Sequence, residues 1–141
     1  MTILKQRFVI ISLLLIGLHV LPRATGSSVA PTTTELSVSP RNVEVGGSVV
    51  MSAKVSVGAV PVQHGVVMFC DAEASRCEGS ALFGSAQLTK NGTASVRLTL
   101  GAGTYSIKAV FAGTSRTTPP FAASSSGTQA LTVAFNARTH Q

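Results

Sequence analysis

Apolar and polar residues alternate along two neighbouring segments in the second half of the chain. Between residues 93 and 100 every even-numbered residue is apolar, and between residues 105 and 111 every odd-numbered residue is apolar. The tripeptide Gly101-Ala102-Gly103 separates the two segments. Because successive side chains of a β-strand point to opposite faces, this pattern predicts two half-buried strands.

Five further segments carry a comparable pattern, at residues 35–39, 48–57, 66–70, 82–88 and 128–135. Val43 and Val45 are predicted to continue the edge of the first strand after the break at Pro40. The residues predicted to face inward include Val67, Phe69, Leu131, Val133 and Phe135. Asn91-Gly92 predicts a two-residue type I′ hairpin turn, and Pro119-Pro120 places a long loop at residues 113–127.

The entry to the strand at residues 105–111 carries a more specific signal. Gly103-Thr104-Tyr105 matches the tyrosine corner of immunoglobulin-type sandwiches, in which a tyrosine hydroxyl bonds to upstream backbone. The strand count and the lack of a helical pattern favour the same solution, because each strand has one apolar face to bury. We predict an all-β, immunoglobulin-like β-sandwich of about seven strands in two antiparallel sheets.

The first 26 residues have the zones of a secretory signal peptide. Lys5 and Arg7 precede an apolar run at residues 8–21, and small residues lead to a predicted cleavage between Gly26 and Ser27. This run is shorter than the roughly 20 residues that a membrane-spanning helix needs. The alternative is an uncleaved leader that anchors the protein in a membrane. Cleavage predicts a secreted protein, extracellular or periplasmic, at the cell surface.

The resulting organisation has four parts. Residues 1–26 are the predicted signal peptide, 27–34 a linker, 35–135 the sandwich domain and 136–141 a flexible tail. The chain is 45% hydrophobic and only 11% charged, which suits an all-β protein outside the cytosol. The chain has eleven Lys and Arg residues and five acidic residues, but the cations are scattered along the sequence and three of them lie in the leader. No nucleic-acid partner is expected, because such binding needs clustered cations and aromatic platforms.

Several segments together resemble one family, the bacterial Ig-like domains of group 3. They are residues 32–40 (TTTELSVSP), 45–49 (VGGSV), 65–69 (GVVMF), 101–113 (GAGTYSIKAVFAG) and 130–133 (ALTV). The resemblance implies a secreted or cell-surface spacer or adhesion module with no catalytic residues to carry over. Such domains usually occur in tandem within long surface proteins, so the chain is also compatible with a fragment of a longer protein.

The two cysteines, Cys70 and Cys77, are predicted to form a disulfide, the default for such a pair in an exported protein. The alternative is a metal site that adds His64 and Met68. A blue-copper centre needs a second histidine, and none follows Cys77 before His140. We therefore predict a structural bridge, with no metal.

Asp71, Glu73 and Glu78 could offer oxygen ligands to calcium, but their spacing lacks the regular alternation of a calcium loop. A solvated acidic loop is the preferred interpretation. Only His64 and His140 remain after leader removal, and no nucleophile elbow is present. No enzyme activity, catalytic residue or cofactor is predicted.

The predicted function is a non-enzymatic module with a structural or adhesive role at the bacterial cell surface, contacting a surface protein or a glycan. One alternative is a small secreted domain that binds a glycan or peptide through a sheet edge or the loop at residues 113–127. Another is an accessory domain of a larger surface protein or hydrolase. The protein would associate with a membrane only if the leader stays uncleaved.

Overall fold

The computed structural model describes Gly26 and residues 28–137. Ten strands and one 3₁₀ turn form the fold: β1 (Thr33–Ser39), β2 (Asn42–Glu44), β3 (Val49–Val57), β4 (Val60–Pro61), β5 (Val66–Asp71), the 3₁₀ turn (Gly79–Ala81), β6 (Leu82–Gln87), β7 (Thr93–Leu98), β8 (Gly103–Phe111), β9 (Ser124–Ser125) and β10 (Gln129–Ala134). The predicted signal peptide, Ser27 of its cleavage site and residues 138–141 of the predicted tail lie outside the described residues.

The strands form two sheets. In the first sheet β3 lies between β1 and β7, and the short β4 pairs with the end of β3. The second sheet has the order β2-β10-β8-β5-β6, with β9 paired to β8. All of these pairings are antiparallel except that of β2 with β10, which is parallel. The predicted all-β class with two sheets is confirmed, and the three strands beyond the predicted seven are all short.

The core lies between the sheets and contains the inward residues of both. Val67 and Phe69 of β5 are fully buried, as the alternation predicts. The other buried apolar members come mainly from β3, β8 and β10: Val49, Met51, Ala53, Val55, Ile107, Ala109, Phe111, Leu131 and Val133. Burying a Val, Leu, Ile or Phe side chain contributes roughly 1.5–3 kcal/mol. This shared layer fixes the positions of the strand ends and loops.

The prediction that Val43 and Val45 continue the edge of the first strand is wrong. β1 pairs with β3, whereas β2 joins the other sheet and pairs with β10. The N–H of Val45 donates to the carbonyl oxygen of Ala134 at 2.9 Å. The chain changes sheets at Pro40, whose nitrogen has no hydrogen to donate to a ladder. Alternation predicts which face of a strand is buried, but it does not predict which strand lies beside it.

The predicted type I′ hairpin at Asn91-Gly92 is also wrong. β6 pairs with β5 and β7 pairs with β3, so the turn links the two sheets. Gly92 has φ +71°, but Asn91 does not have a positive φ, and type I′ geometry requires one at both central residues. The N–H of Gly92 donates to the carbonyl of Thr89, and the N–H of Thr89 donates to that of Thr93. These bonds define a three-residue loop that ends in a left-handed glycine.

The domain ends also differ from prediction. Phe135 is 77% exposed, because β10 ends at Ala134. The predicted linker is shorter than expected, since β1 begins at Thr33 and Thr34 is only 5% exposed. Ala30 already forms a parallel bridge with Phe121. The strand pattern therefore starts earlier and stops sooner than alternation indicates.

Candidate functional site

The Cys70–Cys77 disulfide is present and closes the loop that follows β5. Its Cα atoms are 5.4 Å apart, and Cys70 is fully buried. Lys108 lies opposite Cys70 on β8, and its Nζ donates to the carbonyl oxygen of Ala74 at 2.7 Å and to that of Ala72 at 3.4 Å. A covalent bond and an ammonium group thus hold this loop against the second sheet. We call residues 71–77 the bridged loop.

The residues considered for a metal site do not come together as ligands. Both cysteines are consumed by the disulfide. Asp71 Oδ1 accepts a hydrogen bond from the backbone N–H of Glu73 at 2.9 Å, which orders the start of the bridged loop. Within residues 28–137 no group of three His, Cys, Asp or Glu side chains is placed to hold a metal ion. Asp71 therefore orders the loop, and the side chains of Glu73 and Glu78 are exposed to solvent.

Tyr105 stands at the start of β8, where its hydroxyl donates to the carbonyl oxygen of Gly101 at 2.7 Å. Its ring meets the ring of Phe83 edge-on, with centroids 5.8 Å apart. Gly103 has φ +153°, and a Cβ there would lie 3.7 Å from the ring of Tyr105. The half-buried ring supports the sheet end, and its hydroxyl is already engaged with backbone. A small cavity of about 310 Å³ lies beside it, between Tyr105 and Asp71.

A second and larger concave feature is a groove at another part of the surface. It encloses about 1080 Å³ and is open to solvent. Its walls come from two segments that are distant in sequence, residues 64–66 and residues 112–117 with 120 and 121, and Val29 and Gln87 complete the lining. Ligand sites in proteins commonly enclose about 300–1,000 Å³, so the groove has the size of a binding site.

Local backbone pairing shapes one wall of the groove. Thr114 and Phe121 exchange two hydrogen bonds, N–H to O, at 3.0 and 2.9 Å. Gly113 precedes this pair with φ +75°, and a Cβ there would lie 2.7 Å from the carbonyl oxygen of Phe121. The intervening residues 115–120 form a loop closed by this pair, which we call the finger, and Arg116 and Thr117 lie within it. The wall is therefore a shaped element within the long loop predicted at residues 113–127.

The chemistry of the groove combines positive, hydroxyl and apolar groups. Arg116 and His64 line it together with Thr114, Ser115 and Thr117, and no Asp or Glu is among the described lining residues. Val29, which is 54% exposed, and Phe121 supply apolar surface. His64 has no carboxylate beside it in the groove to orient its ring, as a hydrolytic triad would require. The arrangement suits recognition of a ligand.

One wall of this groove belongs to a loop that the sequence predicts as a contact segment, and the other wall has no such signal. The loop at residues 113–127 is a predicted contact segment, but no feature of the sequence indicates that His64 and Gln87 lie next to it. Pairing of β5 with β6 and with β8 brings these segments together. Gly65 is a local feature of the sequence at this wall. In the structure it has φ +123° and approaches the ring of Phe111 closely, so it marks a tight backbone site. That signal reports packing and gives no information about a ligand.

Comparison with known families agrees with this architecture. The model of the family described as bacterial Ig-like domain (group 3) matches residues 36–134. The chain belongs to this family. In this bacterial Ig-like domain the matched residues run from within β1 to the end of β10. A search of curated proteins finds no match.

Family membership gives a coarse functional class. A bacterial Ig-like domain indicates a non-enzymatic surface or accessory module, and domains of this family are generally non-catalytic and typically extracellular. Among the described residues, no helix has the length and apolar character needed to cross a bilayer.

Proposed function

We propose that this bacterial Ig-like domain is an exported, non-enzymatic module with a structural or adhesive role at the bacterial cell surface. The observation that carries the proposal is the family match over residues 36–134. The Cys70–Cys77 disulfide supports export, because disulfides form and persist in oxidising compartments. The signal-peptide pattern of residues 1–26 points to the same compartment.

The mechanism of such a module is mechanical support and presentation of loops. The two sheets share one continuous core, so the loops are mounted on a rigid body. The bridged loop is held by the disulfide and by Lys108, and the finger of the groove is held by the Thr114–Phe121 pair. Ordered loops lose less conformational entropy when they contact a partner.

The second candidate function is binding of a glycan or peptide. The groove favours it specifically, since a purely structural spacer does not require an open concavity with a cationic residue and clustered hydroxyls. Binding in the groove is compatible with an adhesive role, in which the ligand belongs to a neighbouring surface molecule.

Export is tested by expressing the full chain in a bacterium and measuring intact masses in separated cell fractions, with and without thiol alkylation. We expect a product that begins at Ser27, in the periplasm or medium, with both thiols blocked. A Cys70→Ser/Cys77→Ser variant serves as the mass control for the bridge. A product that retains Met1 and has two free thiols in the cytosol contradicts export.

The adhesive role needs a separate measurement. The exported product is labelled and incubated with intact cells of the producing bacterium, which are then washed. Retention on the cells supports a surface role, and complete recovery in the wash contradicts it. The oxidised protein is compared with heat-unfolded protein, so that non-specific sticking is subtracted.

A further inference from the structure

The β6 edge of the second sheet lacks the usual protection of an edge strand. The sequence of β6 (LFGSAQ) contains no charged residue and no proline. Of the other long edges, β1 carries Glu35 and ends before Pro40, and β7 carries Arg97. Natural sheets protect their edges with charges, prolines or cover, because unpaired backbone groups accept a further strand. The β6 edge is thus the one most open to strand addition in the described part of the chain.

The direction of the backbone groups on β6 follows from its ladder with β5. The N–H of Leu88 donates to the carbonyl oxygen of Gly65 at 2.9 Å, so this is a hydrogen-bonded pair. Hydrogen-bonded and non-bonded pairs alternate in an antiparallel ladder. Ser85 and Gln87 therefore direct their N–H and C=O groups away from β5. Among the described residues these outward groups have no hydrogen-bond partner.

The outward edge runs directly into the groove. Gln87, the last residue of β6, also lines the groove beside Arg116 and His64. A strand added to β6 would thus reach the cationic lining at one end. Its side chains there would meet Arg116 with no carboxylate among the described lining residues to compete. Charge complementarity selects an acidic residue at this end of the ligand.

We infer that the β6 edge and the groove together bind an extended peptide, which adds a strand to β6 and places an acidic side chain beside Arg116. This inference rests on the second candidate function, that the module binds a ligand. The outward backbone groups of Ser85 and Gln87 favour a peptide over a glycan. A peptide offers main-chain donors and acceptors at the spacing of a strand, and an oligosaccharide does not.

The test uses capped peptides of about six residues, the usual length of a strand, with alternating Thr and Val. One peptide carries two Asp residues at its N-terminal end, and a second carries them at its C-terminal end. In the counterpart of each peptide, both Asp residues are replaced by Asn. Binding to the exported full chain is followed by fluorescence anisotropy of labelled peptides. We expect one Asp peptide to bind about fivefold more tightly than its Asn counterpart at low salt, the size of an exposed ion pair. The preference should shrink as salt is raised.

Two variants separate the charge from the edge. Arg116→Gln should reduce the preference for Asp over Asn to about one, without abolishing binding. Ser85→Pro removes an outward donor and should abolish binding of every peptide. Ser95→Pro is the matched control on the β7 edge and should leave binding unchanged. Thermal unfolding shows whether each variant is folded, and a peptide N-methylated at alternate residues tests the edge without any change in the protein.

The inference is overturned if Arg116→Gln keeps the full Asp preference, or if the N-methylated peptide binds as well as its parent. Binding of a glucuronic acid oligosaccharide without binding of any peptide also overturns it, although ligand binding in the groove would then stand. The inference is also overturned if neither the peptides nor the oligosaccharide bind. The surface role is measured separately by retention on cells, so the two failures are distinguishable.

Discussion

The hydroxyl of Tyr105 donates to the carbonyl oxygen of Gly101 at 2.7 Å, across the turn that precedes β8. The bond connects the turn between β7 and β8 to the first residues of β8. The ring packs edge-on against Phe83. Gly-x-Tyr could be read from sequence because the motif is local: donor, turn and acceptor lie within five residues. Interactions of this range are the ones that a single sequence reveals best.

We expect Tyr105→Phe to lower the free energy of unfolding by about 1 kcal/mol, because it deletes one hydrogen bond and keeps the ring. Thr104→Val is the matched control, since Thr104 is exposed and its hydroxyl has no hydrogen-bond partner among the described residues; its effect should stay within about 0.5 kcal/mol. Urea unfolding of the three proteins measures both values. Equal stability of Tyr105→Phe and the parent would show that the bond contributes nothing to the corner.

At the scale of elements, alternation located most strands and the faces they bury. β3, β5, β8 and β10 contain the predicted inward residues, apart from Phe135. Strand partners could not be predicted, because pairing depends on contacts between distant segments. Val43 fits either sheet equally well, and only the parallel register with Val133 decides its place. Phe135 follows the alternation but lies beyond the last paired residue of β10.

The turn between β6 and β7 yields a prediction at this scale. We expect Gly92→Ala to destabilise the fold by roughly 1–3 kcal/mol. The residue has φ +71°, and a Cβ would lie 2.7 Å from the carbonyl oxygen of Val55. Asn91→Ala should cost no more than about 0.5 kcal/mol, since Asn91 is exposed and does not have a positive φ.

Thermal unfolding of the two variants measures this difference, with Gly127→Ala as a further control because no atom lies within 4 Å of a Cβ there. Comparable losses for Asn91→Ala and Gly92→Ala would indicate the type I′ turn after all, since both residues would then need left-handed backbone.

At the scale of the whole molecule, the groove is the feature that the sequence could not predict. His64, Gln87 and Arg116 are separated by more than twenty residues each, and the β5–β6 and β5–β8 ladders bring their segments to one surface. The disulfide could be predicted because two cysteines allow a single intrachain pairing, and the predicted export favours its formation. The role of Lys108 beside it could not, since its partners are backbone carbonyls that have no sequence signature.

The bridged loop is held by two restraints, and we expect them to act together. Reduction of the disulfide should lower stability by roughly 2–3 kcal/mol on the chain-entropy estimate, while the fold persists because the core spans both sheets. Lys108→Met should cost about 1 kcal/mol in the oxidised protein, through the lost bonds to Ala72 and Ala74. In the reduced protein the same substitution should cost less, because the freed loop no longer presents its carbonyls in place.

Lys54→Met is the matched control, since Lys54 is an exposed lysine of β3 with no hydrogen bond among the described residues. Urea unfolding of the parent and both variants, each oxidised and reduced, gives the coupling free energy directly. Additive losses would mean that the bridge and the ammonium group stabilise separate parts of the molecule. A non-zero coupling would mean that the loop is ordered as one unit, which a rigid contact surface at the end of β5 requires.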